Sequence, residues 1–184
     1  MLSAFNPQPT LHGPTLSLRA LTEADREPLF SAASDPAIWA GHPAKDRHIR
    51  TVFDPYFDTL LASKSTLSVT HKGTGGMIGC SRYYTAPNAP DSISIGYTFL
   101  TRPYWGGDTN HQMKALMLAH AFEHVDRVWL HIDPTNIRSQ RATAKLGATL
   151  TEEGPLTLGG KQGIWQSWCL SRADWQKAIN ARLN

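Results

Sequence analysis

Trp105-Gly106-Gly107 stands at the head of a run whose residue types suit an anion. It continues Asp108-Thr109-Asn110 and then HQMKALMLAHAF, where Met113, Leu116, Met117 and Ala121 recur at helical spacing and predict one apolar stripe near Asp108–His124. Glycines at the mouth of a helix let the backbone turn sharply and present the first N–H groups with little side-chain bulk in the way. The helix dipole adds a field that favours negative charge there. Lys114, one turn further on, can add a positive charge. The same residues also permit a plainer reading, a tight turn before a helix capped by Asp108 or Thr109.

A second group follows directly. RVWLHID (residues 127–133) is an apolar strand closed by Asp133-Pro134-Thr135, and NIRSQRATAKLGA (residues 136–148) is a helix opened by Asn136. Asn136 can cap that helix or hydrogen-bond a ligand, two uses that compete for one side chain. Ser139, Ala142 and Leu146 share a face, and Gly147 suits the residue that ends the helix. On its own, Ser139 reads as a solvated helix serine.

This order of glycine turn, helix, strand and Asn-opened helix resembles the coenzyme A-binding core of the GNAT acetyltransferases (GCN5-related N-acetyltransferases). The Trp-Gly-Gly-x-x-Asn turn and the Asn-x-x-Ser helix resemble the branch related to the RimJ/RimL protein N-terminal acetyltransferases. The resemblance implies acetyl-CoA as cosubstrate. Its pyrophosphate would lie at Trp105, Gly106, Gly107, Asp108, Thr109 and Asn110, with Lys114 close by and Asn136 at the pantetheine arm. It implies that Ser139 gives a proton to the leaving thiolate; Tyr97 can act as an acid or line the acceptor pocket, or simply pack in the core as a strand tyrosine. The chain departs from the common pattern Gln/Arg-x-x-Gly-x-Gly/Ala. With Trp105 in its first position, Asp108 replaces the middle glycine and Asn110 the last small residue. An inward carboxylate at 108 would repel phosphate, so the resemblance requires it to face solvent or the helix N–H groups. Many relatives carry a carboxylate base two residues before Gly-Tyr in the fourth strand, where this chain has Ser94. His71, His131, Asp133 and Glu153 are the substitutes, and the sequence does not rank them.

The implied reaction is direct transfer of acetyl to a primary amine, on a protein N-terminus or a small molecule, with no covalent enzyme intermediate. The amine must be neutral when it attacks, and the thioester oxygen must meet a donor, in this family a backbone N–H on a splayed strand. The alternative is an acyl-CoA-binding regulatory module without efficient turnover, which Ser94 and Asp108 both motivate.

The rest of the chain must position these residues. Residues 1–15, polar and Pro-containing, read as an extended arm, and 16–184 as a single domain. LSLRAL alternates as a strand. Thr22 and Asp25 form a capping box for a helix that Asp35-Pro36 stops, and Asp54-Pro55 opens a second helix. SVTHK and MIGCSRYY flank Gly-Thr-Gly-Gly as a hairpin, and SISIGYTFL is the strand that feeds the glycine turn. Residues 148–154 and 164–171 are strands about a turn at 159–163, before a terminal helix capped by Ser171 with Asp174 at its third position. Strands outnumber helices around one strand–helix–strand unit, so the fold class is a mixed α/β sheet, mostly antiparallel with a central parallel pair. The resemblance adds the GNAT acyl-CoA N-acyltransferase fold: a twisted sheet with helices on both faces, splayed between its fourth and fifth strands, with acetyl-CoA in the cleft.

Composition excludes several classes. With 41% hydrophobic and only 18% charged residues the chain can build a core and is not a disordered one. Its net charge of +3 is scattered, without the basic run of a nucleic-acid partner. No apolar stretch reaches membrane-spanning length and no signal peptide opens the chain, so the expectation is cytoplasmic with no membrane partner. Cys80 and Cys169 lack a CxxC spacing and read as buried free thiols. His120 and His124 share a helix face, but HAFEH is not HExxH and shows no third ligand, so no metal is expected. Trp165 and Trp168 face opposite sides of a strand, one toward the core and the other toward an acceptor pocket or subunit interface. Dimers are common among the relatives, and a homodimer is an open oligomeric state.

Overall fold

The computed structural model describes residues 4–183; the first three residues of the expected arm and Asn184 lie outside it. The described residues divide into two compact units. One comprises Asn6–Tyr83 and Tyr97–Leu118, and the other comprises residues 4–5, Tyr84–Gly96 and 119–183.

The first unit starts with a short strand inside the expected arm, β1 (Leu11–His12), paired antiparallel with β2 (Leu16–Ala20). Leu16 and Leu18 alternate into the core, as period two requires. β2 pairs with β3 (Thr66–His71), and β3 makes the expected hairpin with β4 (Met77–Ala86), with a bulge at Val69/Thr70. A Cβ at Gly79 would stand 2.0 Å from the carbonyl oxygen of Phe99, so only glycine lets β4 run past the end of β5 (Ala89–Leu100).

The first helix, α1 (Arg26–Ala33), follows a 3-10 turn at Glu23–Asp25. The backbone N–H and hydroxyl of Thr22 both donate to Asp25 Oδ2, at 2.8 and 3.0 Å. Arg19 adds two bonds of 2.7 Å to the same carboxylate, which the box alone does not foretell. Burial of Asp25 opposes its charge, but the Arg19 and Thr22 donors prevail and hold its carboxyl below the ordinary range. The second helix, α2 (Arg50–Ala62), corrects the expected start, because Pro55 lies inside it rather than at its head. Arg50 pairs with Glu27 and Asp54, and Phe53 is fully buried. Those contacts hold an extra turn that offsets the one N–H a proline removes. Leu29, Trp39, Phe53, Phe57, Leu60 and Phe99 centre the core of this unit.

In the other unit, β5 pairs in parallel with β6 (Arg127–Ile132). β6 pairs antiparallel with β8 (Lys161–Ser171), and β8 with β7 (Thr149–Leu158). The β7–β8 hairpin is longer than its apolar runs predict and closes on Gly159-Gly160 alone. Both glycines have positive φ, 57° and 77°, as the tight two-residue turn that matches strand twist demands. Pro155 is accommodated because β7 is an edge strand. The two tryptophans depart from expectation. Trp165 and Trp168 are both half-buried, while Gln166 and Ser167 between them are buried. Helix α3 (Thr109–Phe122) runs through both units, α4 (Ile137–Ala144) follows β6, and α5 (Arg172–Leu183) is capped by Ser171 and Asp174 as read. The eight strands order as β1-β2-β3-β4-β5-β6-β8-β7, a mixed α/β sheet. No helix among the described residues is long and apolar enough to cross a membrane.

Candidate functional site

The glycine turn is built at the end of β5. A 3-10 turn at Arg102–Tyr104 leads to Trp105, whose indole N–H donates to the Leu100 carbonyl at 2.8 Å and whose ring packs on the first unit's core. That anchor fixes where the turn begins. Gly106 has φ 77°, a conformation that disfavours any side chain, and a Cβ at Gly106 or Gly107 would meet nothing within 4 Å. Gly106, Gly107 and Asp108 are exposed, while Thr109 and Asn110 are half-buried. The Asp108 carbonyl accepts from Gln112 N–H at 2.8 Å, so Asp108 is the last residue before α3. The first turn of α3, which by helix geometry has N–H groups without carbonyl partners inside the helix, thus begins just after the glycines and Asp108.

Lys114 does not face that space. Its ammonium is buried and donates to Thr98 Oγ1 at 2.7 Å and Ser81 Oγ at 3.2 Å. Burial lowers its pKa to about 7. The expected supply of charge to the turn is thereby corrected: the lysine shares the inward face with Leu118, four residues on.

Tyr97, on β5 in the same unit, has φ 52°, a rare strained position for a residue with a side chain. Arg82 lies over its ring at 4.7 Å, and its carbonyl accepts from the Cys80 thiol. Burial pushes the Cys80 thiol up to about 12, so it is inert, while Cys169 is only half-buried.

In the other unit, Asn136 caps α4, its Oδ1 accepting from Ser139 N–H at 3.2 Å. Capping thus takes the side-chain oxygen that competed for ligand binding. Ser139 is half-buried in the first turn of α4, and Gly147 takes the positive φ, 91°, expected of a helix terminator.

The parallel β5–β6 ladder has two register pairs, Ile93–Val128 and Ser94–Trp129, although the strands are 12 and 6 residues long. Ser94 Oγ is buried there without a partner. Two residues on, along each strand, stand Gly96 and His131, on the same face as Ser94 and Trp129. Tyr84 lies over Gly96, where a Cβ would stand 2.9 Å from its ring, and its hydroxyl is 2.9 Å from His131 Nδ1. This pairing was not apparent from sequence. The cue was the glycine in SISIGY, which marks a close approach by a neighbour. The other substitute bases are differently engaged. Asp133 caps Thr135, Glu153 accepts from Gln166, and the His71 ring packs on Tyr104 in the first unit, with its Nδ1 also buried without a hydrogen-bond partner. His120, Glu123 and His124 bring ligand atoms within 4.8 Å of one another, so Glu123 is the third candidate ligand that the motif lacked; Glu123 and His124 are exposed.

The family model for an acetyltransferase (GNAT) domain matches residues 15–149, well over half the chain. Among solved structures, a GCN5-related N-acetyltransferase from Brucella melitensis is 18% identical, with 98% of this chain and 88% of that chain covered and a TM-score of 0.75. An acetyltransferase of the GNAT family from Bacillus anthracis is 15% identical, with 89% and 98% covered and a TM-score of 0.67. RimJ from Mycobacterium smegmatis, in complex with CoA-disulfide, is 17% identical, with 95% and 93% covered and a TM-score of 0.67. No curated protein matches.

Proposed function

Because the chain belongs to the GNAT acetyltransferase family, whose chemistry is acyl transfer from acyl-CoA, we propose that it moves acetyl from acetyl-CoA directly to a primary amine. The observation that carries this reading is the exposed Gly106-Gly107 turn at the head of α3, with open space at both glycines. In the proposed complex the coenzyme pyrophosphate meets the backbone from Trp105 to Asn110, and Asp108 points to solvent. Lys114 acts from within, as a buried prop of the turn's helix. Asn136 orders the first turn of α4 beside the pantetheine arm.

The thioester arrives activated, so the protein's contribution is mainly positioning and proton management. The neutral amine attacks the carbonyl carbon, a C–N bond forms and the C–S bond breaks. The Ser139 hydroxyl gives a proton to the departing thiolate. Tyr97, strained at φ 52°, lines the acceptor side, and a backbone N–H of β5 serves as the donor to the thioester oxygen. No metal takes part. Residues 1–15 serve as an arm to one catalytic domain, 16–184, working in the cytoplasm. RimJ among the structural neighbours favours a protein N-terminus as acceptor, within a RimJ/RimL-like branch.

A second reading, an acyl-CoA-binding module without efficient turnover, draws on Ser94 at the usual carboxylate position. Release of thiol from acetyl-CoA separates the two. The assay uses three acceptors: a peptide with a free N-terminus, a polyamine and an aminoglycoside. Amine-dependent release supports the transferase. Coenzyme binding with no release for any amine supports the module.

A further inference from the structure

We propose that His131 Nε2 takes the proton from the attacking amine, with Tyr84 as the residue that positions its ring. This rests on the acyltransferase reading above and supplies the base that Ser94 cannot.

Four observations carry it. His131 is 9% exposed, and its Nε2 is buried with no hydrogen-bond partner. A polar atom left bare in the interior costs about 1–3 kcal/mol unless something else compensates, so such an atom calls for a partner. The other ring nitrogen is engaged, with Nδ1 2.9 Å from the Tyr84 hydroxyl. An Nδ1–H that donates to the Tyr84 oxygen leaves Nε2 as the lone-pair acceptor; the opposite tautomer would bury a bare N–H donor. Trp129 stacks along the ring at 6.4 Å and 17°, and the β6–β8 ladder fixes the His131 backbone opposite Ser167.

The fourth observation is position. The last register pair of the parallel ladder is Ser94–Trp129, and His131 is the next residue of β6 on the same face. It stands where β6 has parted from β5. Gly96 is the corresponding residue of β5, and its missing side chain makes room for the Tyr84 ring. Burial holds the imidazole pKa down at about 4, so the ring is neutral at physiological pH.

The step balances without any added reactant. The amine nitrogen bonds to the carbonyl carbon, its surplus proton passes to Nε2, and the electron pair of the C–S bond leaves on sulfur. The thiolate takes its proton from Ser139, His131 releases the amine's proton to solvent, and solvent restores the Ser139 hydroxyl.

The test needs no knowledge of the acceptor. Bromoacetyl-CoA places an alkylating carbon where the acetyl group sits, and a nearby lone pair displaces bromide. Mass spectrometry of the labelled protein should find the adduct on His131, suppressed by excess CoA and absent from His131→Gln. The glutamine variant should bind acetyl-CoA with unchanged affinity in calorimetry. It should lose about 10²–10⁴-fold of the amine-dependent rate, the range for a general base. In Tyr84→Phe, nitrogen-15 shifts of His131 should show the single Nδ1–H tautomer giving way to a mixture, an effect a merely structural tyrosine would not produce. Acetyl-CoA binding without a His131 adduct, or a full rate in His131→Gln, overturns the assignment and leaves the transferase reading standing. Absence of acetyl-CoA binding overturns both.

Discussion

Lys114 shows how far one residue can depart from its evident role. Its helical phase was legible from the apolar spacing, but its burial was not, because partners as ordinary as Ser81 and Thr98 leave no signature in sequence. The sign of its effect on stability follows from linkage. Its pKa is about 7 in the folded protein against 10.5 for the free side chain, so between those values the unfolded chain holds a proton the folded chain has lost. Stability attributable to Lys114 therefore rises with pH from about 7 to 10.5, and the penalty of a buried ammonium is greatest below 7. Lys114→Met should be more stable than the parent by roughly 1–3 kcal/mol at pH 6. The gap should close as pH rises, in urea titrations at stepped pH; a gap that does not change would mean the ammonium is solvated. Gly107 offers the complementary test. Its φ is not positive and a Cβ there meets nothing, so Gly107→Asp should leave the melting temperature within a degree or two. The added bulk and charge should still weaken acetyl-CoA binding by at least about tenfold. Calorimetry alongside thermal melts would read both, and unchanged affinity would remove the anion site.

Elements were legible where a local rule decides them and illegible where a distant contact does. The Thr22–Asp25 box, the Ser171–Asp174 cap, the hairpin around residues 72–76 and the strand into the glycine turn all follow from neighbours in sequence. The start of α2 does not, since it depends on Arg50 reaching Glu27 from 23 residues away. The half-burial of both Trp165 and Trp168 likewise depends on what β8 lies against rather than on its period. Arg19–Asp25, only six residues apart, is another contact that the local rules miss, tying β2 to the start of α1 with two 2.7 Å bonds. Asp25→Ala should cost about 2–3 kcal/mol in urea unfolding, the range for charge-assisted bonds. Because the folded carboxyl has a lowered pKa, its contribution is complete above the ordinary carboxylate value and is lost only as pH falls through the lower, folded one. Asp25→Ala should therefore flatten the acid limb of stability, and an unaltered limb would assign that limb to other groups.

At the scale of the whole molecule, the family was legible because its signature is contiguous, from Trp105 to Gly147, and the domain model extends it to residues 15–149. What was not legible is the cluster where Tyr84, Gly96, Trp129 and His131 come together from three strands. Their meeting depends on where a parallel ladder stops, and no periodicity records that. A ligand that binds only the folded state stabilises it by RT ln(1 + [L]/Kd), so acetyl-CoA at a hundred times Kd should add about 2.7 kcal/mol and raise the thermal midpoint by several degrees. The most direct measurement is calorimetric titration of acetyl-CoA into the protein, with adenosine 3′,5′-bisphosphate and free phosphate as controls. An acyl-CoA transferase built on the Gly106-Gly107 turn should bind one acetyl-CoA per chain in the micromolar range, far more tightly than phosphate. No heat of binding at millimolar coenzyme would contradict it.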